Sequence, residues 1–154
     1  MLTVFRQAGL AVRQEKDVRG WLWLHFIADA GMFDQGMRSG SLANMIGDRR
    51  AFRDAFVTTR ELLPVLEARG VDLRRHRSAM LPYRLPRLVS ALSGWATALV
   101  PIAQRSLAAH TDPYAPEARA VLEDTLREAR RLSIPTPRLD RSLPREIEEP
   151  TIER

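Results

Sequence analysis

Trp21, His25 and Asp29 recur at every fourth position, so a helix brings all three to one face. There Asp29 can hold the His25 ring and raise its pKa, giving an acid–base pair for work near neutral pH. The same residues have a plain structural reading, with His25 bonded to nearby backbone and Asp29 acting as a cap or an arginine partner. Glu117 follows Pro116 in what reads as a first helical turn, where the helix dipole favours a carboxylate with or without a functional role. Ser106 offers a hydroxyl near a helix end. Arg74-Arg75-His76-Arg77 offers charge-assisted anion contacts or a solvated helix end. His110 reads as a loop residue, and Trp95 and Tyr83 as core or interface aromatics. No G-x-S-x-G elbow is present to support a Ser-His-Asp triad.

Composition removes several other chemistries. Cysteine is absent, which excludes disulfides, thiolate nucleophiles, iron–sulfur clusters and cysteine zinc sites. The three histidines form no H-x-x-x-H pair, so no metal site is expected. Neither G-x-G-x-x-G nor G-x-x-x-x-G-K-[ST] occurs. Basic residues number 24 and acidic residues 19, for a net charge of +5, and Lys16 is the only lysine. The basic clusters have acidic neighbours, whereas nucleic-acid binding wants a one-sided stripe, so no nucleic acid is expected. The N-terminus lacks the order of a signal peptide. The longest uncharged run, Leu88 to Gln104, falls short of a membrane span and reads as buried helix. These features predict a cytoplasmic protein with no membrane partner.

The elements that must position these residues read as helices. At 154 residues and 45% apolar, the chain is long enough for one domain with a real core. Only Leu2–Phe5 and Ala11-Val12 resemble short strands. Asp17 caps an apolar stretch from Trp21 to Phe33. Asp48 caps a helix from Arg49 to Arg69, kinked or broken at Pro64 and stopped by Gly70. Asp72 caps a short helix, Leu73 to about Met80, and Pro82 and Pro86 bound a turn. Arg87–Val100, Pro101–Leu107 and Pro116–Leu132 complete the set. The spacing predicts a single all-α domain of five to seven helices over residues 1–140. A charged, flexible tail over 141–154 follows, free or draped over a neighbour. The helices around Trp21–Phe33 and Leu88–Val100 are apolar nearly all round, which suits a central position or a subunit interface.

Several local patterns, in order, resemble the C-terminal helical domain of the ketopantoate reductase family. Phe5-Arg6-Gln7-Ala8-Gly9-Leu10-Ala11-Val12, then Lys16-Asp17-Val18 and Trp21, is similar to that family's crossing into its helical domain. Glu61 through Gly70-Val71 resembles one helix end. Pro116-Glu117-Ala118-Arg119 through Ile134-Pro135-Thr136-Pro137 resembles the stretch from its T-E-I-D motif to its closing proline.

The resemblance implies a fold like the 6-phosphogluconate dehydrogenase C-terminal-like domain, with the His25–Asp29 face toward a substrate cleft. It also implies departures. The nucleotide-binding half is missing, and Trp21 or Trp23 stands where the family's catalytic lysine would. Ser106-Leu107 is a remnant of its Ser-Met-x-x-Asp motif, and only Glu117 matches like for like. One expectation is therefore the stand-alone helical half of an oxidoreductase, giving substrate-cleft and dimer contacts. It would bind no cofactor by itself, NADP being held only by a separate nucleotide-binding subunit. A second is non-redox isomerase or cyclase chemistry on an apolar small molecule, with His25, Asp29 and Glu117 as polar groups in a cleft lined by Trp21, Trp23 and Met32. A third is a non-catalytic module forming a homodimer through the apolar helix Leu88–Val100.

Overall fold

The computed structural model describes residues 2–9, 15–112 and 115–141. These form seven α-helices and no strand: α1 (Leu2–Gln7), α2 (Val18–Ser39), α3 (Arg49–Ala68), α4 (Leu81–Arg84), α5 (Pro86–Leu99), α6 (Pro101–Ala108) and α7 (Pro116–Arg131). Short 3-10 turns lie at Ala43–Met45 and Leu139–Arg141. The tail beyond Arg141 and the Ala11-Val12 segment lie outside the described residues.

Helix α2 is the axis of the fold, packed against α3 on one side and α7 on the other. It starts where Asp17 accepts the Gly20 N–H at 3.0 Å, leaving one fewer orphan donor in the first turn. It ends at Gly40, whose φ of +85° is the left-handed conformation that glycine tolerates. Against α3 the two backbones nearly touch. A Cβ on Gly31 would collide with Thr59 Oγ1 and lie 2.8 Å from the Ala55 carbonyl oxygen. Leu24, Ile27, Leu62, Leu66, Met80, Tyr83, Leu122 and Leu139 close the main core, and each fully buried aliphatic side chain there contributes about 1.5–3 kcal/mol. A second cluster of Leu42, Met45, Ala51, Phe52 and Ala55 lies under the far end of α2.

Helix α3 starts on Asp48, whose carboxylate accepts from the Arg50 and Ala51 N–H groups. It continues through the exposed Pro64 as one element to Ala68. The Gly70 N–H donates to the Glu67 carbonyl and the Val71 N–H to the Leu66 carbonyl, closing the last turn.

Three expectations are corrected. Leu2–Phe5 is helical, because no neighbouring strand is there to pair its backbone, and a helix satisfies those groups internally. Residues 73–80 form successive turns, and the short helix falls at Leu81–Arg84 around Pro82. The Asp72 carboxylate does accept the Arg74 N–H at 3.0 Å. His76 then turns inward, 6% exposed, so that its ring meets the Asp17 carboxylate at 3.1 Å. Helix α5, finally, lies at the surface of the chain and is not the buried helix that the uncharged run suggested. It buries only its small residues, Ser90, Gly94 and Thr97. Gly94 is held against the 47–49 segment, where a Cβ would lie 3.2 Å from the Gly47 carbonyl oxygen. The Gly47 N–H donates to Thr97 Oγ1 at 3.1 Å. The large side chains of α5 are left facing outward.

Candidate functional site

Trp21, His25 and Asp29 share a face of α2, and the helix continues from there to Phe33 and Gly36, which meet His110 and the start of α7 at Glu117 and Ala118. Trp21 stacks on the His25 ring, with centroids 4.6 Å apart and planes 27° from parallel. Both rings are exposed. One turn further on, Asp29 is half-buried, and loss of water around its carboxyl raises its pKa. The charges of His25 and His110 pull it back down, and the charge of Glu117 pushes it up. Asp29 is therefore within electrostatic reach of the two other residues singled out as acid–base groups, His25 and Glu117.

Two further groups join them. Tyr83, buried in the core and edge-on to Phe56, has its phenol pushed up to about 12, first by burial and then by the Asp29 charge. His110, at the end of α6, has its Nδ1 3.0 Å from the Ser106 carbonyl oxygen. A carbonyl only accepts, so Nδ1 carries the proton and Nε2 of the neutral ring keeps a lone pair. His110 also lies beside Phe33, 6.5 Å between ring centroids. It shares a 350 Å³ pocket with Phe33, Asp112 and Glu117. Neither Tyr83 nor His110 stands near Asp29 in sequence. Only the return of α4 and α6 to the side of α2 brings them there, a signal that no local pattern contains.

The other named residues are spread out. Met32 follows Asp29 on the same side of α2, where it packs on the second cluster along with Leu107. Ser106 is exposed and contributes its backbone carbonyl to His110. Trp23 points away from His25, as a two-residue offset on a helix requires. Its ring is capped by the Arg69 guanidinium at 3.9 Å, a cation–π contact. Arg69 in turn pairs with Glu128. Trp23 lines a separate open groove of about 840 Å³ between α2 and α7, with Leu22, Phe26 and Ile27 as its apolar floor.

Among the described residues no group of three or more histidines or carboxylates is placed to hold a metal ion. No described helix is long and apolar enough to cross a membrane. No family model, curated protein or solved structure matches the chain.

Proposed function

We propose that the chain binds a small apolar molecule over the Trp21–Asp29 face of α2 and moves protons there without redox chemistry, as an isomerase or cyclase does. The observation that carries this reading is that the half-buried Asp29 feels the charges of His25, Glu117 and His110, the last two sharing a pocket with Phe33 one turn further along the same helix. Burial makes the Asp29 carboxylate a stronger base than an exposed aspartate, and an imidazole is the side chain suited to exchange a proton near neutral pH. Two such groups permit removal of a proton at one ligand atom and delivery at another, with no net change in oxidation state. Trp21 supplies the exposed aromatic surface such a ligand needs.

A second reading, the helical half of a ketopantoate-reductase-like oxidoreductase, is favoured by the start of α2. Val18, Trp21 and Leu22 are exposed there, where that family's two domains meet. In that reading NADP comes with a separate nucleotide-binding subunit, and the outward face of α5 serves a homodimer.

The test is an amide NMR titration of the full chain with a panel of small 2-oxo acids and apolar ketones. Shifts centred on Trp21, Asp29, His110 and Glu117 support the site. Shifts confined to the Trp23 groove overturn it. Micromolar NADPH affinity of the chain alone contradicts both readings.

A further inference from the structure

A second pocket, of about 580 Å³, opens where α3 passes the α4–α5 corner. Its walls carry Arg53, Arg60, Arg84, Arg87 and Arg138, and its apolar part is Val57, Leu85, Pro86 and Leu88. The one carboxylate present, Asp54, is already engaged with Arg53 at 3.2 Å. Arg60, Arg84 and Arg87 make no ion pair among the described residues, and all three are exposed. No acidic residue occurs between Asp72 and Asp112, so nothing local balances this corner. Leu85 and Leu88 stand 49% and 57% exposed beside those charges. A pocket with cationic walls and aliphatic edges fits an acidic segment with interspersed aliphatic side chains.

The chain carries such a segment, and it follows closely on Arg138 of the pocket wall. Arg138 is fixed there through its backbone: its N–H donates to Glu61 at 2.9 Å, and its carbonyl accepts from Arg38 at 2.9 Å. The last described residue, Arg141, is three positions on. The sequence that follows reads Ser-Leu-Pro-Arg-Glu-Ile-Glu-Glu-Pro-Thr-Ile-Glu-Arg, with Glu146, Glu148 and Glu149 around Ile147. Extended, residues 142–154 reach at most roughly 45 Å, ample for a pocket whose wall includes Arg138. The tether also keeps the local concentration high, so weak individual ion pairs suffice.

We propose that the arginine-walled pocket between α3 and the α4–α5 corner is the docking site of the chain's own C-terminal segment, residues 142–154. Glu146, Glu148 and Glu149 meet Arg60, Arg84 and Arg87, and Ile147 covers Leu85 and Leu88.

The absence of cysteine makes a clean test. A spin label on Thr151→Cys in the full chain should broaden the amides of Val57, Leu85 and Leu88 selectively. Arg84→Glu with Arg87→Glu should at least halve that broadening. Adding Glu146→Arg, Glu148→Arg and Glu149→Arg should restore it, which also shows that the first pair has not simply unfolded the corner. Broadening spread evenly over the surface, or centred on Leu92–Ile102, overturns the proposal, as does broadening indifferent to both sets of substitutions. Broadening that vanishes when labelled chain is diluted into unlabelled, NMR-visible chain at the same total concentration supports docking in cis, and its persistence there overturns it in favour of a second copy.

Discussion

The indole of Trp21 lies against the imidazole of His25 while remaining 41% exposed itself. The stack holds the histidine at the surface edge of α2, one turn from the half-buried Asp29. A ligand bound as proposed would meet an aromatic plate first and titratable groups behind it. That order suits an apolar body with one polar handle.

The close crossing of α2 and α3 depends on Gly31. Gly31→Ala drives a methyl into Thr59 Oγ1 and toward the Ala55 carbonyl, and backbone cannot move aside cheaply. The expected loss in a denaturant melt is about 2–3 kcal/mol. Gly70→Ala, which has open space but a φ of +78°, should cost only about 1 kcal/mol.

Acid stability should report on Glu128. Arg131 and Arg69 hold its carboxyl down at about 2, below its ordinary value of 4.5. A depressed folded-state pKa contributes stability that is fully present above 4.5 and is lost as the pH falls toward 2. Glu128→Gln should therefore be less stable than the parent at neutral pH, and its stability should fall less steeply across that window. Parallel curves for the two proteins would contradict the assignment.

The outward face of α5 carries Leu88, Leu92, Trp95 and Leu99, spaced four, three and four apart, and Leu81, Leu85 and Ile102 are exposed on the elements flanking it. That is the spacing of a helix–helix seam, and Ile102 stands 77% exposed. Leu92→Glu with Leu99→Glu should leave the unfolding free energy within about 0.5 kcal/mol, since neither side chain supports the core. In the homodimer reading, light scattering at tens of micromolar finds the parent self-associated and the variant monomeric. A strictly monomeric parent removes the homodimer reading.

Much of the fold is legible locally. Asp17, Asp48, Gly70, Pro86, Pro101 and Pro116 mark helix ends because capping and proline geometry act over three or four residues. The direction in which α5 faces is not legible. Its leucines and its Ser90–Gly94–Thr97 stripe are both compatible with burial, and only the tight approach to Gly47 decides between them. His76 was equally hidden, since its neighbours Arg74, Arg75 and Arg77 advertise a solvated stretch while its own ring turns in to Asp17. At the site, the placing of His25 and Asp29 on one face of α2 follows from helical spacing alone. The parts played by His110 and Tyr83 depend on tertiary contacts between distant segments.

The central claim is that Asp29 is the hub of a coupled set of titrating groups, and carboxyl-detected NMR titration of Asp29 tests it most directly. The account predicts that Asp29 titrates above the ordinary aspartate range, moves down in Glu117→Gln and moves further up in His25→Ala. An Asp29 that titrates at its ordinary value and ignores both substitutions would contradict it.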